Sequence, residues 1–155
     1  MKLYYMPGAC SIGIHVLLEE IGKPYDLQKI DGAKQEQYGP DFVKLNPKSK
    51  VPTLQKDDGS VLTEFPAIAT WLARKNPEKG LLPPDADGEA KALEGKDYVA
   101  GQFSVADAAL FYVTFWAAGR MKMPLPKNVA GHYERMKSRP AVKRTVEQEG
   151  LTAAA

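Results

Sequence analysis

Apolar positions change their period several times along the chain, and each change marks an element. Lys2 to Met6 alternate as a short strand, which Pro7 and Gly8 stop. Ile14, Leu17, Leu18 and Ile21 then fall at i, i+3, i+4 and i+7, one apolar stripe of a helix that Gly22 and Pro24 terminate. Tyr25 to Ile30 returns to strand spacing, so the chain opens on a βαβ unit whose strands should run parallel. "GPDFVKLNP" has room for only a short helix between Pro40 and Pro47. In "VPTLQKDDGSVLT" two apolar runs flank Asp57, Asp58 and Gly59, a hairpin signal. "FPAIATWLARKNP" is helical again, with Ile68, Trp71 and Leu72 on one face and Pro66 suited to a first turn.

The order to this point is βαβαββα, an α/β domain over residues 1–80. Residues 81–88, with Pro83 and Pro84, read as a linker. Everything in 89–155 reads as helical, an all-α C-terminal domain. Its most apolar segment is "FSVADAALFYVTFWAAG", where Ser104 and Asp107 have capping-box spacing and Gly119 marks the expected end. Asn128 to Arg139 and Pro140 to Gln148 form two further helices, separated at the Arg139-Pro140 junction.

Charge narrows the function classes. The 155 residues carry 21 basic and 19 acidic side chains, divided 11 to 10 before Leu81 and 10 to 9 after it. Neither part has the basic excess of a nucleic-acid binder; the run around Arg135, Lys137, Arg139, Lys143 and Arg144 is bracketed by Glu134 and Glu147 and reads as a solvated face. No apolar run reaches membrane-spanning length, no signal-like segment opens the sequence, and one cysteine closes no internal disulfide. A cytoplasmic protein with no membrane and no nucleic-acid partner is the expectation. One Cys with His15 and His132 does not make a metal cluster at ligand spacing, so no metal is expected and both histidines read as structural or surface groups.

Three places carry candidate chemistry. Cys10 stands where the first strand hands over to a helix, and unpaired N–H groups at a helix start favour thiolate over thiol. It reads equally as a nucleophile, as a contact for another molecule's sulfur, or as a small buried apolar residue. Val51-Pro52 opens a strand: either a simple strand-start proline, or a cis bond that leaves Val51's backbone groups free to pair with an extended peptide. In "LTEFPAI", Glu64 beside a helix start is either an ordinary first-turn acid or a group for a ligand ammonium, with the helix N–H groups facing a carboxylate.

The βαβ-hairpin-helix order, with Cys10 at the first helix and Val51-Pro52 before the third strand, resembles the thioredoxin-like domain of cytosolic glutathione transferases. "MKLYYMPGACSIGIHVLLEE", "LNPKSKVPTLQKDDGSVLTE", "FSVADAALF", "RPAV" and "EGL" resemble the bacterial beta class in particular. The resemblance implies a shortened transferase fold that conjugates glutathione, its co-substrate, to small apolar electrophiles as a detoxifying homodimer. Carried over residue by residue, it implies Cys10 at the glutathione sulfur with Tyr5 and Ser11 around it. Val51 ahead of cis-Pro52 would pair with the cysteinyl backbone, Glu64 and the N–H of Phe65 would take the γ-glutamyl group, and Lys34 or Gln35 would take the glycyl carboxylate. Thiol-disulfide exchange through Cys10, and a non-catalytic binding protein of the same fold, are the alternatives.

Two departures accompany the resemblance. Phe65 and Pro66 stand where the family carries a small or hydroxylated residue, which implies a weak helix cap and weaker glutathione binding. Only "DADGEAKALE" stands where the family has two long helices that build much of the dimer interface and electrophile pocket. Their loss should leave Trp71, Phe111 and Trp116 poorly covered.

Overall fold

The structure is a computed structural model that describes residues 1–82 and 97–151. Most of the expected 81–88 linker and all of "DADGEAKALE" therefore lie outside the described residues.

The N-terminal region is a four-stranded mixed sheet in the order β2-β1-β3-β4, from β1 (Lys2–Tyr5), β2 (Asp26–Lys29), β3 (Thr53–Gln55) and β4 (Val61–Thr63). β1 and β2 run parallel with Leu3 opposite Leu27, while β3 is antiparallel to both β1 and β4. The alternation along β1 sorts its side chains. Leu3 and Tyr5 enter the core, and Tyr4 faces the other side, where its ring lies 5.9 Å from Phe42 of helix α2 (Pro40–Leu45).

Helices α1 (Ser11–Ile21) and α3 (Phe65–Lys75) cover the first side. Ile14, Leu17, Leu18 and Ile21 of α1 meet Ile68 and Leu72 of α3 over Leu3 and Leu54. Gly22 ends α1 in the left-handed region, φ 73°, with its N–H on the carbonyl of Leu18.

The C-terminal region adds α4 (Val105–Thr114), which widens into a π-helical turn over Phe115–Arg120, then α5 (Lys127–Ser138) and α6 (Pro140–Gln148). The expected capping box is present: Ser104 accepts the Ala106 N–H at 3.3 Å and Asp107 accepts the Ser104 N–H at 2.8 Å. Asp107 also receives the Val99 N–H and faces His132 Nε2, each at 2.9 Å, so His132 is a buried structural residue.

A single apolar stripe on α1 understates the observed packing. The opposite face, through Ile12 and Val16, enters a second core with Phe111, Phe115, Tyr133, Met136, Val142 and Val146. Ser11, Gly13 and His15 are buried as well, because α4 and α6 close over the side that would otherwise meet water. Burying Ile12 and Val16 contributes about 1.5–3 kcal/mol each, enough to make α1 a shared wall between the two regions.

The expectation of poor cover is corrected for Phe111, which is fully buried. Trp71 is half-buried beneath the ammonium of Lys56, and Trp116 retains 39 % exposure. Val113, Met121 and Met123 are exposed around Trp116.

Candidate active site

The turn between β1 and α1 is tight: the Ala9 N–H binds the Met6 carbonyl and the Ile12 N–H binds the Ala9 carbonyl, each at 3.0 Å. Cys10 caps α1 with φ −58° and ψ −17°, and its side chain makes no capping bond to the helix. Its thiol instead donates to the carbonyl of Val51 at 3.0 Å. The Val51-Pro52 bond is cis, and β3 starts only at Thr53, so no strand takes up the Val51 backbone groups among the described residues. Two of the sequence candidates, 41 residues apart, thus meet directly.

The protonation of Cys10 runs against the helix-start expectation. Burial pushes the thiol up, and the charge of Glu64 adds to the rise. The N–H groups of Cys10 and Ser11 and the charge of Lys50 pull it down, but less strongly. A protonated thiol that donates a hydrogen bond is therefore the resting form. The helix start does act on the sulfur as expected; desolvation outweighs it.

Glu64 is near enough to act on Cys10 by charge. It holds φ 72° and ψ 128° at the N-cap of α3, a left-handed position that costs a glutamate on the order of 1–3 kcal/mol. Its exposed carboxylate pairs with Lys48 Nζ at 2.8 Å. Since Glu64 is the cap, Phe65 is the first helical residue, not a poor N-cap. The Phe65 ring turns inward: a Cβ placed on Gly13 would come within 2.6 Å of Phe65 Cε2 and 2.8 Å of the Ala108 carbonyl oxygen.

The other candidates stand apart from the thiol. Ser11 is fully buried and its hydroxyl donates to the Met6 carbonyl at 3.2 Å, so its backbone alone serves Cys10. Tyr5 lies in the core with its ring 5.8 Å from His15, and burial pushes its hydroxyl above the ordinary phenol value. Lys34 pairs with Asp31 at 3.6 Å, and Gln35 sits in a left-handed turn with φ 58°. No hydrogen bond joins Tyr5, Lys34 or Gln35 to Cys10, Val51 or Glu64 among the described residues.

Residues from the helical region complete the surroundings. Tyr112 of α4 lies close enough for the Cys10 sulfur, after burial, to raise its hydroxyl. Trp116 Nε1 donates to the Gly8 carbonyl at 2.5 Å, and Arg120 lies over the Trp116 ring at 5.5 Å. From α6's end, Glu149 accepts the Gly8 N–H at 2.8 Å and faces His15 Nδ1 at 3.0 Å. Lys50 could have been noticed from its place beside Val51. Tyr112 and Trp116 share one helical face by spacing, but nothing local in the sequence connects them with Cys10, about a hundred positions away.

A thioredoxin-like sheet carries a capping cysteine, a cis-Pro and a strained acid, and a helical region packs against it. A model of the glutathione S-transferase N-terminal domain matches residues 8–75. Glutathione S-transferase GstA of Escherichia coli O157:H7 is 32 % identical over 200 aligned positions, covering 97 % of this chain and 100 % of the relative. Among solved structures, the ternary complex of BphK, a bacterial transferase, superposes with a TM-score of 0.85 at 30 % identity, covering 97 % of this chain and 100 % of that one. A beta-class transferase of Sphingomonas chungbukensis gives 0.84 at 29 % identity with the same coverage. The chain belongs to the glutathione S-transferase family, and its solved neighbours include the bacterial beta class.

Proposed function

We propose that the protein conjugates glutathione to small electrophiles, with the peptide lying extended along the groove between Cys10, Val51 and Glu64. The observation that carries this reading is the 3.0 Å contact between the Cys10 thiol and the Val51 carbonyl. In the ligand-bound form the glutathione cysteinyl N–H takes that carbonyl, and the released Cys10 S–H turns to the glutathione sulfur. A protonated Cys10 then stabilises the glutathione thiolate as a hydrogen-bond donor. The thiolate attacks the electrophilic carbon, the new C–S bond forms, the leaving group departs with its electron pair, and the thiol proton passes to solvent.

The Glu64 carboxylate receives the γ-glutamyl ammonium in place of Lys48, and the N–H groups at the start of α3 face the adjacent carboxylate. Lys34 or Gln35 closes on the glycyl end. Tyr5 and Ser11 act from behind, through the packing of β1 and the turn. The raised Cys10 thiol speaks against the exchange alternative, which needs Cys10 itself as the attacking thiolate.

The division into a domain of residues 1–80, a linker of 81–88 and a shortened helical domain of 89–155 belongs to this proposal. Supporting it, the E. coli relative aligns over 200 positions against a chain of 155 residues. Homodimerisation is proposed too, on the exposed Val113, Met121 and Met123, and sedimentation equilibrium tests it: a mass of one chain at micromolar concentration rejects it. No described helix is long and apolar enough to cross a membrane, and a cytoplasmic location is proposed alongside.

Glutathione titration by calorimetry, followed by turnover of 1-chloro-2,4-dinitrobenzene, tests the main reading. Saturable glutathione binding and glutathione-dependent turnover are expected, with Cys10→Ser retaining more activity than Cys10→Ala because the hydroxyl still donates. A wild-type protein that binds no glutathione overturns the proposal.

A further inference from the structure

The wall of the site supplied by the π-helical turn contains a cation for which the family reading has no use. Arg120 lies with its guanidinium over the Trp116 ring, 5.5 Å from the centroid. Trp116 is itself held by its indole N–H on the Gly8 carbonyl. An Arg120 guanidinium nitrogen also comes within 3.0 Å of where a Gly8 Cβ would stand. The charge is therefore placed over the turn that carries Cys10, two residues from the thiol.

Arg135, Arg139 and Arg144 each pair with an acid, Asp97, Glu20 and Glu19 respectively. Arg120 has no carboxylate within 4.0 Å among the described residues. Glu149, the acid beneath the same turn, is already committed to Gly8 and His15. Arg120 is exposed, yet its guanidinium is laid over an indole and beside a glycine rather than extended into solvent. These contacts hold a planar five-donor fork in one place, as bidentate recognition of a carboxylate requires.

From this we infer that Arg120 selects electrophiles that carry a carboxylate on an aromatic or otherwise planar body. The body lies against Tyr112 and Trp116, beside Cys10, and the carboxylate takes the Arg120 fork. The inference rests on the conjugation proposed above and changes its second substrate from a neutral apolar compound to an acidic one. The reaction keeps its balance: the glutathione sulfur replaces the leaving group on the ring, and the carboxylate remains unchanged.

A matched pair of probes tests this, 4-chloro-3,5-dinitrobenzoate and its methyl ester. For each, kcat/KM at saturating glutathione is divided by the uncatalysed rate, which removes the difference in intrinsic reactivity. The wild-type ratio of acid to ester should favour the acid, and Arg120→Gln should lower that ratio about tenfold, chiefly through the KM of the acid. Arg120→Lys should fall between, since it keeps the charge and loses the fork. A ratio unchanged in Arg120→Gln overturns the inference. A direct binding measurement keeps the two proposals separable: quenching of tryptophan fluorescence by unreactive 3,5-dinitrobenzoate. If the wild type turns over neither probe, the conjugation reading fails. The quenching titration still decides Arg120, with a Kd about tenfold weaker in Arg120→Gln supporting it and equal Kd values rejecting it.

Discussion

The Glu149 carboxylate accepts the backbone N–H of Gly8 at 2.8 Å, across 141 residues of sequence, and is buried where it does so. Its second oxygen faces His15 Nδ1 at 3.0 Å, so one acid ties the turn before α1, the middle of α1 and the end of α6. Trp116 holds the Gly8 carbonyl from the other side. The peptide units on either side of Gly8 are thus gripped by the helical region, and Gly8 itself adopts φ 70°, where a side chain is unfavourable.

Glu149→Ala leaves the Gly8 N–H and the His15 ring nitrogen buried without that partner. A loss of about 2–4 kcal/mol is expected, read by urea denaturation. Glu149→Gln keeps an acceptor and should lose less. Transferase activity should fall in both at temperatures where the protein stays folded, because the turn positions Cys10. Stability of the alanine variant within experimental error of wild type would show that the contact has no energetic role.

Thiolate absorbance near 240 nm, or the rate of iodoacetamide labelling, gives the Cys10 titration directly. Burial raises the thiol, so the midpoint should lie above the ordinary cysteine range and labelling at neutral pH should be slow. An acid whose folded value is raised contributes stability that is fully present below its unfolded value and is lost as pH rises through the folded one. Cys10→Ser should therefore narrow its stability difference from wild type in alkaline solution. A midpoint below the ordinary thiol range would mean that the helix start outweighs burial.

Gly13 and Phe65 form a matched pair between α1 and α3, with Ala108 of α4 closing the contact. Gly13→Ala places a methyl group against an aromatic ring and a backbone oxygen and should cost about 1–3 kcal/mol despite alanine's better helix propensity. Phe65→Ser supplies a hydroxyl at the ligand side but removes the ring from the packing, and should lower stability by a similar amount. Thermal unfolding of both variants checks this; a stabilised Gly13→Ala would mean that α4 yields readily.

Glu19 joins α1 to the rest through Arg144 and the Tyr25 hydroxyl. Burial opposes its charged form, yet the two hydrogen bonds prevail and hold its carboxyl below the usual range. A depressed carboxyl contributes stability above its unfolded value and loses it as pH falls through the folded one. The stability gap between wild type and Glu19→Gln should shrink as pH falls from the ordinary glutamate value through the folded one, by denaturant titration at each pH. A gap independent of pH would count against the ion pair.

Much of this was legible in order along the chain. Periodicity located β1, α1, the hairpin and α3, because each is a short-range pattern ended by Pro or Gly. Ser104 and Asp107 announced their capping box for the same reason. Cys10, Val51-Pro52 and Glu64 could be singled out, since helix starts and prolines mark themselves locally. Tertiary structure decided what those residues do. Phe65 reads as a faulty cap until Gly13 shows where its ring goes, and α1 reads as one-sided until α4 and α6 bury its second face. The protonation of Cys10 could not be read locally, because it is a contest between a nearby helix start and a burial that distant segments impose. Tyr112, Trp116, Arg120 and Glu149 reach the thiol turn only through folding, for no local pattern encodes a contact across a hundred residues.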